Sequence, residues 1–190
     1  MFKERRLFKE KYINDNNEHF ILLKKLYENI IDKEINEILD CGTGKTSLSS
    51  LLDNFKQAKI DAFLYYNDQR KINSVKENII SERINLIERD ICKDKTVKKY
   101  DLVLAHLLLG ESIMWGNTFG TVFNSLINIK TKYLIIVDFK EDKVIDYEML
   151  ESYLIKNNYE IITKIEQLKN EPQVFKNFTG KTYIGYVLKK

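Results

Sequence analysis

The stretch Ile35-Asn36-Glu37-Ile38-Leu39-Asp40-Cys41-Gly42-Thr43-Gly44-Lys45-Thr46-Ser47 constrains this chain more than any other. A short apolar run ends in an acid, and Gly42 and Gly44 follow it one residue apart. Leu48, Leu51, Leu52 and Phe55 then recur at helical spacing. The pattern is strand, tight loop, helix: the opening unit of an open α/β sheet, where ligands settle at the carboxyl ends of the strands. Glycines let the backbone turn sharply and approach a ligand that a Cβ would push away. The N–H groups at the start of the helix, which lack partners within it, favour an anion.

Three ligand classes use such a unit. A phosphate-binding P-loop is written G-x-x-x-x-G-K-[ST]. Gly44-Lys45-Thr46 supplies its end, but its first glycine would stand at position 39, which is Leu39 and part of the strand. A dinucleotide fingerprint asks for a third small residue at position 47, where Ser47 is tolerable, and it has no need of an acid at Asp40. Asp40-x-Gly42-x-Gly44 after a strand resembles motif I of the class I S-adenosylmethionine-dependent methyltransferases. Three alternatives stay open: a P-loop-like NTPase using Gly44-Lys45-Thr46, a methyltransferase-like domain that binds cofactor or partner without catalysis, and a structural turn with no ligand.

At 190 residues the chain has room for one α/β core and is short for two. One proline and seven glycines argue against long linkers. A formal charge of +3 is a weak basic bias that does not by itself imply nucleic acid. Cys41 and Cys92 form no disulfide framework and read as reduced thiols. No apolar stretch approaches a membrane span and no signal peptide is visible, so a cytoplasmic protein is expected. Two histidines without a His/Cys cluster make a metal site an unexpected feature.

Residues 1–12 interleave Lys3, Arg5, Arg6, Lys9 and Lys11 with Phe2, Leu7, Phe8 and Tyr12. This reads as a terminal helix packing its aromatics, or as a basic arm that covers a site or touches RNA. A helix from Asp15 or Asn16 to about Asp32 carries Phe20, Leu22, Leu23, Leu26, Ile30 and Ile31 for packing on the sheet. Strands are expected at Ile60–Tyr66, Ile84–Ile91, Tyr100–Ala105, Tyr133–Asp138, Tyr159–Ile165 and Lys181–Leu188. Asp68 caps a helix with Ile72, Val75 and Ile79. A second helix carries Val122, Phe123, Leu126, Ile127 and Ile129, and a third runs from Asp146 to a left-handed cap at Asn157-Asn158. The near-continuous apolar run of Tyr100–Ala105 implies burial on both faces. The last two strands lack a long helix between them and form an antiparallel pair at the sheet edge.

The resemblance covers about Ile35 to Lys190. It implies a three-layer Rossmann-like sandwich: a mostly parallel seven-stranded sheet with an antiparallel C-terminal edge strand. The whole of 1–190 reads as a single domain, a helical arm over 1–34 and a Rossmann-like core over 35–190. The resemblance also implies that S-adenosyl-L-methionine lies against Asp40, Cys41, Gly42, Thr43 and Gly44. An acid near the end of the second strand holds the ribose hydroxyls; Asp68 sits a residue or two late for that role, after Tyr66 and Asn67, and is equally a helix cap. Asp90 matches the acid that contacts the adenine amino group, with Ile91 against the adenine face. His106 and Glu111 stand at the mouth of the fourth strand, where the family holds its substrate-facing residues, and His106 also borders the cofactor. Trp115-Gly116 and Phe119-Gly120 form a candidate substrate wall. The Asn-Pro-Pro-Tyr-type signature for methylating amino groups of nucleobases or glutamine is absent. Leu134-Ile135-Ile136-Val137-Asp138 equally looks like the magnesium-holding strand of a P-loop ATPase.

The implied reaction moves a methyl group to an oxygen, nitrogen or carbon nucleophile, and the protein's part is alignment and desolvation. A base is needed only where the acceptor must lose a proton, and His106 or Glu111 could serve. A small-molecule acceptor is slightly favoured over ribosomal or transfer RNA, although the Lys93–Lys99 loop keeps RNA open. No membrane or DNA partner is expected, and the oligomeric state is not readable.

Overall fold

The computed structural model describes residues 18–65, 69–78, 81–93, 97–110, 116, 118–140, 145–168 and 182–190. In chain order these form α1 (Glu18–Tyr27), β1 (Glu37–Asp40), α2 (Lys45–Asn54), β2 (Lys59–Leu64), α3 (Gln69–Asn78) and β3 (Ile84–Glu88). There follow β4 (Tyr100–His106), α4 (Phe119–Ile127), β5 (Thr131–Phe139), α5 (Tyr147–Lys156), β6 (Glu160–Leu168) and β7 (Thr182–Lys189). The strands make one seven-stranded sheet in the order β3-β2-β1-β4-β5-β7-β6. β1 to β5 run parallel, and β7 is antiparallel to both β5 and β6. The closing pair does stand at the edge; β7 inserts between β5 and β6, so the outermost strand is β6.

The side-chain alternation of the central strands builds two cores. Ile38, Leu102, Leu104, Ile135 and Val137 face one side, under α1, α2 and α3. Leu39, Val103, Ala105, Leu134 and Ile136 face the other, under α4 and α5. A strand covered on both faces has no solvated side to mark with polar residues, which is why β4 and β5 read as unbroken apolar runs.

Helix α1 buries Leu22, Leu23, Leu26 and Tyr27 against the first core. It ends at Tyr27, so Ile31 lies beyond the helix and is exposed. A Cβ on Gly185 of β7 would stand 2.7 Å from Cδ1 of Leu26, so the glycine is what lets α1 lie this close to the sheet. Thr163 of β6 donates to Asn29 at 2.6 Å, and Lys25 reaches Gln167 at 3.0 Å. Tyr27 ties α1 to α2 through Ser50 Oγ, 3.0 Å from its hydroxyl, and burial pushes the phenol pKa up.

Local signals set several boundaries. Asp146 accepts from the Met149 N–H at 3.0 Å and caps α5, and Asn158 takes φ +63° in the left-handed turn that ends it. Thr118 caps α4 by accepting from Thr121. Arg83 donates to the carbonyls of Phe55 and Ala58 at 2.8 and 3.3 Å, a cation placed at the negative end of α2. The N-terminal arm with its Asp15/Asn16 cap, and the residues 66–68 that hold Asp68, lie outside the described residues.

Candidate functional site

β1 ends at Asp40 and α2 begins at Lys45, so the loop is Cys41-Gly42-Thr43-Gly44. Four hydrogen bonds fix it. The Cys41 N–H donates to the Leu104 carbonyl at 2.8 Å, continuing the β1–β4 ladder past Asp40. Thr43 Oγ1 donates back to the Asp40 carbonyl at 2.8 Å. Ser47, in the first turn of α2, donates its hydroxyl to Asp40 Oδ2 at 2.6 Å and accepts from the Gly44 N–H at 3.0 Å. The fully buried Asp40 carboxylate therefore clamps strand, loop and helix through one serine. Ser47, read from sequence as a tolerable small residue, is a structural member of the turn.

The two glycines serve different ends. A Cβ on Gly42 would stand 2.4 Å from the backbone oxygen of His106, so this glycine lets the loop lie against the end of β4. Gly44 has φ −150°, extended backbone that any residue adopts. Its conformation does not demand glycine. The first turn of α2 carries no acid of its own, and Asp40 of β1 reaches it through Ser47.

A P-loop does not fit this geometry. The position its first glycine needs, Leu39, is inside β1 and fully buried in the second core. Asp138, the residue that would hold magnesium, accepts instead from the N–H groups of Leu109 and Gly110 at 3.1 and 3.2 Å. That bond follows a strained turn: Leu107 takes φ +54°, costing a leucine about 1–2 kcal/mol, and its N–H is held by the Val137 carbonyl at 2.7 Å. The turn sends the chain away from β4 straight after His106.

Asp90 is buried beyond the end of β3, and its Oδ1 accepts from the Cys92 N–H at 2.9 Å while Lys93 lies 3.4 Å from Oδ2. It organises its own turn. Ile91 is half-buried against the second core. Burial and the nearby Asp40 raise the Cys41 pKa, and burial with Asp90 raises that of Cys92, which disfavours the thiolate at both. Phe119 is the first residue of α4, half-buried, and stacks on Phe123 with centroids 5.4 Å apart. Glu111 and Trp115 lie outside the described residues, as does Asp68.

His106 is 6% exposed and has an unexpected neighbour: its Nε2 lies 3.0 Å from Nδ1 of His19 at the start of α1. No spacing rule relates residues 87 positions apart, so only the fold reveals this pair. Asp40, the loop 41–44, His106 and Asp90 thus gather at the carboxyl ends of β1, β4 and β3, the edge where an open α/β sheet holds its ligand.

No family model matches the chain, and no curated protein matches it by sequence. Solved structures do match it. The N-methyltransferase NodS from Bradyrhizobium japonicum superposes with a TM-score of 0.67 at 10% identity, over 94% of this chain and 99% of that one. The 16S rRNA methylase ArmA gives a TM-score of 0.58 at 16% identity, over 90% of this chain and 81% of its own. NodS in complex with S-adenosyl-L-homocysteine matches over 98% of this chain, at a TM-score of 0.61 and 10% identity. The chain has the Rossmann-like fold of the class I S-adenosylmethionine-dependent methyltransferases.

Proposed function

We propose that the protein is an S-adenosylmethionine-dependent methyltransferase. The carrying observation is the turn in which buried Asp40 clamps the N-terminus of α2 through Ser47, at the carboxyl edge of this sheet. When bound, the cofactor supplies a methyl group already activated by the sulfonium charge. The α2 N-terminus suits its carboxylate, with the 41–44 loop alongside. Asp90 suits the adenine amino group and Ile91 the ring face. Tyr66, Asn67 or Asp68 would meet the ribose hydroxyls, and His106 and Glu111 would face the acceptor. Alignment and exclusion of water supply most of the protein's contribution.

The acceptor we favour is a small molecule. The formal net charge is only +3, a weak basic bias for binding RNA phosphates, and among the described residues Lys76, Lys93, Lys98, Lys132, Lys140 and Lys164 each pair with a carboxylate of this chain. Titration calorimetry with S-adenosylhomocysteine and, separately, Mg-ATP tests the reading. We expect micromolar binding of the first and none of the second. Asp40→Ala and Asp90→Ala should each weaken binding by about 1.5–3 kcal/mol, the scale of a hydrogen bond to a charged group. Lys45→Ala should change it by no more than about 1 kcal/mol. Tight ATP binding lost in the Lys45 variant would replace this reading with an NTPase.

A further inference from the structure

The chain has two histidines, and the fold sets them nitrogen to nitrogen. Their rings meet edge-on with centroids 5.1 Å apart, and His19 also lies over the Tyr183 ring at 4.0 Å. Two imidazoles in this contact need one donor and one acceptor. The contact therefore holds either a neutral pair or a pair carrying one added proton, and a second would turn two N–H groups on each other. Among the described residues no cluster of three His, Cys, Asp or Glu side chains is placed to hold a metal ion. The arrangement suits a proton.

The pair also has the right address. The backbone of His106 packs on Gly42, which places the pair beside the glycine loop. The alternation of β4 puts His106 on the same sheet face as Leu102 and Leu104, the face under α2 and its Asp40–Ser47 clamp. Among the described residues, Tyr183 from β7 lies against His19, and Asp40 ends β1 beside β4 on the same sheet face. Asp138 of β5 follows Leu134 and Ile136 on the opposite face and is engaged by Leu109 and Gly110.

We propose that His19 is a positioning residue for His106 and that the two act as one acid–base unit, beside the methyl group, that takes up the acceptor's proton. The catalytic half of this statement rests on the methyltransferase reading; the shared proton does not. In the transfer the carbon–sulfur bond breaks with its electron pair left on sulfur, and a lone pair of the acceptor forms the new bond to carbon. The acceptor's proton passes to the pair, which becomes an imidazolium–imidazole. His19 fixes the orientation and tautomer of His106, as an outer partner does for a working imidazole.

The test is a proton NMR titration of the imidazoles between pH 5 and 8, where each single variant assigns the remaining ring. The wild-type pair should titrate in two steps separated by more than about one pH unit. His19→Phe, which keeps a ring over Tyr183, and His106→Gln, which removes the other member, should each leave one simple curve. His19→Asn, with a polar group near the Nδ1 position, should hold His106 closer to its wild-type behaviour than His19→Phe does. Two independent wild-type curves, unmoved by either variant, would overturn the unit. The second arm repeats the titration with S-adenosylmethionine and with S-adenosylhomocysteine, which differ by the sulfonium charge. A pair beside the methyl group should protonate at a pH lower by about half a unit or more with the charged ligand. Binding of both ligands with identical titrations would sink the pair's role while sparing the methyltransferase. Failure of both to bind would sink the methyltransferase reading, and the catalytic role with it, while the coupled titration alone stood.

Discussion

Ser47 donates to Asp40 and accepts from Gly44, so two buried or half-buried polar groups depend on one hydroxyl. Ser47→Ala should cost about 1–3 kcal/mol in stability, the penalty for stripping a partner from such groups. Chemical denaturation reads it, and S-adenosylhomocysteine affinity should fall in the same variant because the loop loses its clamp. Asp61 is the other telling acid. It lies within β2 and accepts from Lys98 at 2.8 Å, Tyr100 at 2.9 Å and Asn85 at 3.0 Å, while Glu37 shares Lys98. Burial opposes its ionisation, but the three donors outweigh that and hold its pKa below the usual value. Asp101 behaves alike, burial being outweighed by Lys132 and the N–H groups of Asn36 and Glu37. Carboxylates with folded pKa values below their unfolded ones stabilise the fold above the ordinary carboxylate range, and the contribution is lost as pH falls through the folded values. Stability should accordingly drop on acidification below about pH 4. Asp61→Asn should lower stability at pH 7 and flatten that drop, which urea titrations at several pH values would show.

Gly185 of β7 gives the Leu22 and Leu26 side chains of α1 room to pack on the sheet. Gly185→Val would push branched carbon into Leu26 and Leu22, and overpacking of this kind costs about 1–3 kcal/mol. We expect the start of α1 to move with it. The measurement is thermal unfolding together with NMR of His19, whose contact with His106 should weaken; an unchanged imidazole spectrum would mean that α1 is held by its other contacts. Gly42→Ala meets backbone rather than a movable side chain, so it should damage the loop and ligand binding together. α2 depends on both its ends, with the serine clamp at the first turn and Arg83 on its last carbonyls.

A ligand that binds only the folded chain stabilises the entire domain. At 100 times its dissociation constant, S-adenosylhomocysteine should add about 2.7 kcal/mol. For a domain of this length that is a rise in Tm of about 5–10 °C. Mg-ATP should add nothing, and a melting curve shifted by ATP alone would contradict the fold-based reading. Among the described residues no helix is long and apolar enough to cross a membrane.

The order of strands and helices was legible because it is written in local physics. Periods of 2 and 3.6, Asp146 as a cap, Asn158 as a left-handed stop and the glycine pair after Asp40 each act within a few residues of chain. The resemblance carried by Asp40-x-Gly42-x-Gly44 led to the right architecture for the same reason: a strand–loop–helix unit is a local object. What the chain order hid was every relation made across it. Ser47 as a clamp, Gly42 as clearance for His106, Asp138 as a cap for Leu109 and Gly110, and Asp61 as a buried hub all depend on which strand ends lie side by side. That choice belongs to the packing of two apolar faces against separate helical layers, and no short spacing encodes it. His19 and His106 are the plainest case: two histidines far apart in sequence carry no signal as a pair until β4 is central and α1 settles over Gly185.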